Sequence, residues 1–231
     1  MLLNQMIAGR RCAVLAPEKG GPFLLSVCCC GQAQELLPQL AALSLNRLWV
    51  SPEADWDTDF TPWPAPSLQE SRLFSDGSSL GGGPAFLKWV ENQLLPALAA
   101  QFPLDKSQNS ILGYSLGGLF ALWALCESNF FTSCACLSGS LWYPGWCEYL
   151  KQFVPTPPKR AYLSLGKREE KSGPAVMRAV GDDTRQSAAL LLEALGEENT
   201  VLEWNSGGHF APALPRWEKA LRWLDHPEKP I

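Results

Sequence analysis

The chain has 231 residues, is 46% hydrophobic and carries a formal net charge of −4 at pH 7. This length and composition predict a single α/β domain over residues 1–231 with a sizeable core. The acidic balance excludes a basic surface for nucleic acid or an anionic membrane, and no apolar run has the length of a membrane span. The first residues lack the basic and apolar regions of a signal peptide, so we expect a cytoplasmic location.

Short β-type runs alternate with helical segments along the chain. Residues 12–16 and 23–30 flank a Gly-Gly-Pro turn and are predicted to pair as a hairpin. Further strands are predicted over residues 47–51, 110–113, 134–138, 161–165 and 201–204. Helices are predicted over residues 34–43, 86–101 with a kink at Pro96, 118–125, 183–195 with Asp182 or Asp183 as its cap, and 215–224. Residues 52–85 are rich in Pro, Asp, Gly and aromatics, which predicts an irregular functional loop.

This alternation, with long connections between strands, predicts an α/β fold of three layers, in which a mostly parallel central sheet carries helices on both faces. The active site of such a sheet lies at the carboxyl ends of its strands. Three of the eight cysteines, Cys28 to Cys30, are consecutive in an apolar run, and no C-x-x-C pair exists. We therefore expect reduced, buried thiols rather than disulfides or metal ligands.

Ser115 is the strongest candidate for a catalytic residue. It is the centre of a Gly-x-Ser-x-Gly pentapeptide, residues 113–117, with an apolar run before it and a helical run after it. A strand, a tight turn and a helix in this order expose a serine hydroxyl at the edge of a sheet and direct the helix N-terminus toward it. The alternative is a serine that only forms the turn.

A serine hydroxyl needs a base to take its proton, and the chain has only two histidines. His209 lies in a glycine-rich loop directly after the last predicted strand, where a catalytic base is expected, although a structural loop histidine is the alternative. His226 lies in a polar tail beyond the last helix and is expected to be solvated.

An acid that orients the histidine is expected after the strand at 161–165. Glu169 and Glu170 are adjacent there among basic residues, so a solvated charge cluster is the alternative. Asp182 and Asp183 are further candidates.

Two backbone N–H groups are needed to hold an oxyanion. Leu116, directly after the serine, is expected to supply one of them. Gln32, at the end of an early strand, is expected to supply the other, with Gly31 or Ala33 as alternatives.

Aromatic residues in two loops are candidates for substrate contacts. Trp56 and Phe60 lie in the loop at 55–64, and Trp142 follows the strand at 134–138, between Leu141 and Tyr143. For the first loop, the alternative is that its tryptophans pack a proline-stiffened segment onto the body. Three aspartates of that loop lack histidine neighbours and regular ligand spacing, so we predict no metal site.

Taken together, these residues make the chain resemble the putative-esterase branch of the α/β-hydrolases, which contains esterase D-like enzymes, feruloyl esterases, mycolyltransferases and enterobactin esterases. The resemblance covers nearly the whole chain and rests on residues 113–118, 138–142, 166–169 and 207–209. Its Gly-x-Arg-Glu stretch resembles that of the siderophore esterases, which favours Glu169 over Glu170 as the acid. Where the family often has Leu-Asp-Gly, this chain has Cys-Cys-Gly, but the following backbone donor is retained. Some members of the family work with a serine–histidine pair alone.

The expected function is hydrolysis of a carboxylic or thio ester of a small molecule by Ser115, His209 and Glu169, with a siderophore-like ester among the candidate substrates. No cofactor is expected. Acyl transfer to an alcohol at the same site is one alternative, and a non-catalytic binding protein on a hydrolase scaffold is another. The expected partner is a small-molecule ester, and the choice between monomer and homo-oligomer is open.

Overall fold

The computed structural model describes residues 2–17, 20–43, 46–69, 74 and 79–225, without the side chains of Gln69 and Lys106. Its contacts group into two compact units, Met1–Asn109 and Ser110–Ile231. The single domain predicted over the whole chain stays a prediction. His226, expected to be a solvated tail residue, lies outside the described residues.

A mixed sheet forms the first unit. Its strands are β1 (Leu2–Ile7), β2 (Arg10–Leu15), β3 (Phe23–Cys29) and β4 (Arg47–Pro52), in the order β1-β2-β4-β3. Strands β1 and β2 form an antiparallel hairpin across Ala8 and Gly9, which both have positive φ. This backbone matches the twist of the flanking strands in a two-residue turn.

The predicted hairpin between the second and third strands is wrong. Strand β2 pairs antiparallel with β4, and β3 pairs parallel with β4. The physical reason lies in β3, where residues 25–29 are all buried. A strand that is apolar on both faces fits a position in a parallel sheet covered on both sides, rather than a hairpin with one solvated face.

Helices follow β3 and β4 along the chain in the first unit. Their bounds are α1 (Ala33–Leu43), α2 (Trp56–Asp59), α3 (Pro66–Gln69), α4 (Gly83–Trp89) and α5 (Leu95–Gln101). In its described residues, the loop predicted to be irregular contains the short helices α2 and α3 and the start of α4. The kink predicted at Pro96 is a wide π turn, Val90–Leu94, between α4 and α5. Proline cannot donate to the carbonyl one turn earlier, and the wider turn relieves the clash of its ring with that carbonyl.

Strand β5 (Leu104–Tyr114) carries the chain into the second unit, which is a parallel sheet. Strands β6 (Ser133–Leu137), β7 (Arg160–Gly166) and β8 (Thr200–Asn205) follow it in space in the same order as in sequence. Every residue of β6 is buried, so both faces of the sheet are covered there. The carboxyl ends of these strands therefore meet along one edge.

The second unit also contains the helices α6 (Leu116–Glu127), α7 (Trp146–Gln152), α8 (Ala175–Arg178), α9 (Val180–Leu195) and α10 (Leu214–Asp225). Residues 116–125 of α6 are all buried. Helix α9 packs on β7 and β8, whereas α10 packs on β6 and β7. The predicted α/β architecture, a mostly parallel sheet with helices on both faces, is confirmed. Within the described part of the chain, no helix has both the length and the hydrophobicity needed to cross a bilayer.

Two local predictions in this unit need correction. Helix α7 was not predicted, although Trp146 and Leu150 bury its inner face. The expected cap of α9 by Asp182 or Asp183 is wrong, because the helix starts earlier, after Ala179. Both aspartates lie in its first turn, where a carboxylate still favours the helix dipole.

Candidate active site

Ser115 is the single residue between strand β5 and helix α6. Its φ of 58° and ψ of −122° lie outside the regions that side-chain-bearing residues favour. A Cβ on Gly113 would lie 2.0 Å from the carbonyl oxygen of Gly117, so the turn requires glycine at 113. The strained turn places the Ser115 hydroxyl at the carboxyl edge of the sheet, as the pentapeptide predicted.

His209 lies in the loop between β8 and α10, with its side chain 30% exposed. Its Nε2 is 3.1 Å from Ser115 Oγ, and its Nδ1 is 2.8 Å from Glu169 Oε2. The Tyr114 hydroxyl donates to the His209 carbonyl at 2.6 Å, which fixes the backbone of the loop beside the serine. The imidazole therefore bridges the hydroxyl and a carboxylate.

Glu169 starts a short 3₁₀ turn, Glu169–Lys171, after strand β7, and its side chain is 4% exposed. Its Oε1 accepts hydrogen bonds from the Gly166 N–H at 2.7 Å and the Ser138 hydroxyl at 2.9 Å. Burial pushes the pKa of this carboxyl up, but the hydrogen bonds from His209, Gly166 and Ser138 hold the pKa below its usual value. The carboxylate is therefore ionised when it faces the imidazole.

The other candidate acids have different partners. Glu170 Oε2 accepts from Arg185 Nη2 at 2.7 Å, and Asp182 Oδ1 accepts from Arg185 Nη1 at 2.8 Å. The Cys147 thiol lies 3.5 Å from Asp183 Oδ1. Of the four candidates, the structure brings Glu169 to the histidine.

The expected backbone donors occupy helix starts. Leu116 is the first residue of α6, so its N–H is among those that have no acceptor within the helix. The positive end of the helix dipole lies at the same place. Gln32 directly precedes α1 in the other unit, where its carbonyl accepts from Glu35 and Leu36. Its role as a second donor stays a prediction.

A cavity of about 1000 Å³ opens beside Ser115 and His209. Trp142, Met177 and Phe210 line it, and the substrate contact of Trp142 stays a prediction. Phe210 is 98% exposed, although it is a large apolar residue. Its ring stands edge-on to the His209 ring with a centroid distance of 5.2 Å.

Sequence reasoning missed these last two apolar residues. The signal for Phe210 was its place directly after the candidate base. Met177 lies in a four-residue helix, α8, that no sequence pattern indicated.

Trp56 and Phe60 belong to the first unit. Phe60 is 2% exposed and packs edge-on against Trp56, with a centroid distance of 5.1 Å. For Phe60 the structure therefore favours the alternative, in which the loop is packed onto the body. A substrate contact of Trp56, which is partly exposed, stays a prediction.

Two acids of the same loop have structural partners. The Asp55 carboxylate caps helix α2 by accepting from the Thr58 N–H, and the Asp59 carboxylate pairs with Arg10. Hydrogen bonding and ion pairing thus account for both carboxylates.

The family model described as "Putative esterase" matches residues 34–222. An uncharacterised protein of Bacillus subtilis, YbbA, is 28% identical over 199 residues, which are 83% of this chain and 75% of that protein. The ferri-bacillibactin esterase BesA of the same organism is 26% identical over 160 residues, 65% of this chain but only 54% of that protein.

A solved structure is similar over most of the chain. It is an IroE-like serine hydrolase from Shewanella oneidensis, with a TM-score of 0.75 and 18% identity, and the match covers 92% of this chain and 74% of that one. At this identity the likeness shows the fold alone.

Proposed function

The chain belongs to the putative esterase family and is on that ground a carboxylic ester hydrolase; from this premise we propose that Ser115, His209 and Glu169 are its catalytic triad. One observation carries the proposal, namely the continuous hydrogen-bonded line from Ser115 Oγ through both imidazole nitrogens to the Glu169 carboxylate. A nucleophile, a base and a residue that orients the base are the groups that serine catalysis requires.

In the proposed mechanism, Ser115 Oγ attacks the ester carbonyl while His209 Nε2 takes its proton. Glu169 holds the proton of Nδ1, fixes the tautomer and stabilises the imidazolium. The N–H group of Leu116, at the start of α6, holds the oxyanion. His209 then protonates the leaving alcohol, and water, activated by the same imidazole, releases the acid from Ser115.

The cavity supports an ester with an apolar or aromatic part as substrate. Trp142 and Phe210 offer two aromatic surfaces beside the nucleophile. BesA is named as an esterase of ferri-bacillibactin, which makes a siderophore-like ester a substrate to test in this chain. A panel of p-nitrophenyl esters of rising chain length, together with a trilactone siderophore, tests the proposal directly. If the protein hydrolyses none of these esters, the proposal is wrong.

Water as the acyl acceptor and a cytoplasmic location are part of the same proposal. The eight cysteines are free, and burial raises the pKa of the Cys136 thiol to about 12, which keeps it protonated. Free thiols support a reducing compartment.

Adding an alcohol to the assay separates hydrolysis from acyl transfer, because a transferase would form the new ester in preference to the acid.

Replacing Phe210 tests the apolar wall. We expect Phe210→Ala to lower kcat/KM about tenfold for aromatic and long-chain p-nitrophenyl esters and to change the acetate ester little. When a substrate covers the exposed phenyl ring, roughly 60 Å² of apolar surface leaves water, which contributes about 1.5 kcal/mol to the binding free energy. Steady-state kinetics across the ester series measures the effect.

Phe153→Ala is the matched control. Phe153 is 52% exposed and stacks on Tyr149 at the end of α7, and it is not among the residues that line the cavity. Its replacement should leave the whole series unchanged. An equal loss on the acetate and long-chain esters in Phe210→Ala would contradict a role in substrate preference.

The adjacent acids provide a second test. We expect Glu169→Gln to lower kcat about a hundredfold or more, because the amide no longer holds the tautomer and the charge of the imidazolium. Glu170→Gln should change kcat less than about threefold, since it loses only a pair with Arg185 that lies partly in solvent. The reverse pattern would assign the acid to Glu170, and small effects from both would favour a serine–histidine pair.

A further inference from the structure

Arg216 lies in the first turn of helix α10 and is 2% exposed. Its Nη1 contacts Glu169 Oε1 at 2.8 Å, the Tyr114 hydroxyl at 2.9 Å and the Ser138 hydroxyl. Its Nη2 donates to the Gly208 carbonyl at 2.8 Å. The side chain is therefore a buried cation with a buried carboxylate as its ionic partner.

These partners come from every segment that builds the proposed triad. Tyr114 precedes the nucleophile, Ser138 follows strand β6, Glu169 is the acid and Gly208 precedes the base. A planar guanidinium can reach acceptors in several directions at once, which the single ammonium of lysine cannot do with the same geometry. One side chain thus joins the nucleophile turn, the acid loop and the histidine loop.

The direction of the hydrogen bonds adds a second argument. A guanidinium only donates, so the hydroxyls of Tyr114 and Ser138 accept from Arg216. Each hydroxyl then has its own hydrogen to donate elsewhere. The Tyr114 hydrogen goes to the His209 carbonyl and the Ser138 hydrogen goes to Glu169 Oε1. Arg216 therefore orients two hydroxyls toward the base and the acid.

We propose that Arg216 is a positioning residue of this esterase, which holds Glu169 against His209 and draws part of the carboxylate's charge away from the imidazolium. This inference rests on the proposed function. It assigns to Arg216 a part in setting the pH at which the base becomes active, beyond any contribution to folding.

The charged and titratable groups around the histidine give the expected direction. Among the described residues, Tyr114 of β5 and Glu169 after β7 contact His209, Arg216 of α10 contacts Glu169, and Arg168 lines the same cavity. Burial raises the pKa of Tyr114, so this residue stays neutral. Removing the Arg216 charge leaves Glu169, which the backbone N–H of Gly166 still holds, with its full charge toward the imidazolium. The protonated base is then stabilised, and activity begins at a higher pH.

The rate at which a fluorophosphonate labels Ser115 measures this effect without a known substrate. In this reaction the serine oxygen bonds to phosphorus and fluoride leaves, so the rate depends on the same base. We expect Arg216→Met to move the acid limb of the labelling rate to higher pH by about one unit. A shift of this size is expected when a charge that acts on His209 through the intervening Glu169 is removed. The maximal rate should fall about tenfold or more, because the acid and histidine loops lose their shared donor.

Two further variants complete the experiment. Arg216→Lys keeps the positive charge but loses the planar guanidinium. The acid limb of its labelling rate should therefore stay within about 0.3 pH units of the wild type, while its maximal labelling rate falls. Arg160→Met is the matched control, since Arg160 contacts the other end of α10 through the carbonyls of Trp223 and Leu224. It should keep both the acid limb and the maximal rate.

The outcomes separate this inference from the proposed function. No labelling of the wild type would contradict the proposed function itself. If Arg216→Met is labelled and its acid limb lies at the same pH as in the wild type or at a lower pH, the proposed role of Arg216 is overturned. If Arg216→Met does not fold, Arg216→Lys decides, because a wild-type rate or a shifted acid limb in that variant overturns the inference equally.

Discussion

Ser115→Ala is expected to abolish ester hydrolysis and to leave the melting temperature within a few degrees of the wild type. The change removes one oxygen atom, and alanine meets the same backbone geometry at a φ of 58° that serine already tolerates. Loss of the nucleophile of a triad typically lowers kcat by several orders of magnitude, about 10⁶-fold in one serine protease. Hydrolysis of a p-nitrophenyl ester and a thermal melt measure the two quantities.

A fluorophosphonate probe gives the complementary result. Mass spectrometry of the labelled wild type should find the adduct on Ser115, and Ser115→Ala should take up no label. Turnover at the wild-type rate in Ser115→Ala would exclude the serine mechanism. A wild type that stays unlabelled would instead favour a binding protein on the same scaffold.

His209→Ala should lose nearly all turnover, and wild-type activity should rise with pH through one ionisation. The imidazole must be neutral to accept the serine proton, so activity increases as the pH rises. Glu169 adds no second step in the neutral range, because its hydrogen bonds hold the pKa of that carboxyl below its usual value and it stays ionised there. A pH profile of kcat/KM from about pH 5 to pH 9 measures this.

His226→Ala is the matched control, since the chain contains only these two histidines. It should keep both the rate and the pH profile. If alanine at 226 stopped the reaction while alanine at 209 did not, the assignment of the base would be wrong. If the acid side of the pH profile showed two ionisations instead of one, the ionised state of Glu169 would be contradicted.

The sequence predicted those parts of the site that depend on local chemistry. The strained turn at Ser115 follows from a strand, two glycines and a helix within a few residues, and all of them interact locally. His209 followed from the small number of histidines and from its place after the last strand. The alternation of strands and helices likewise predicted the parallel sheet.

Strand pairing could not be predicted with the same success. Residues 12–16 and 23–30 look like a hairpin because a Gly-Gly-Pro turn separates them, yet the preceding strand and β4 pair with β2 instead. Strand β3 pairs instead with β4, whose paired residues lie more than twenty positions further along the chain. Local turn chemistry carries no information about this competition.

The choice between Glu169 and Glu170 was also decided by tertiary structure. The two residues are chemically alike and adjacent, so no spacing argument from the residues separates them, and only the resemblance to siderophore esterases favoured Glu169. In the folded chain, Arg216 of α10 faces the first and Arg185 of α9 faces the second. The sequence by itself determined that a serine, an acid and a histidine follow three strands of one parallel sheet. Only the packing of two distant helices, each bringing one arginine to one carboxylate, decided which acid meets the histidine.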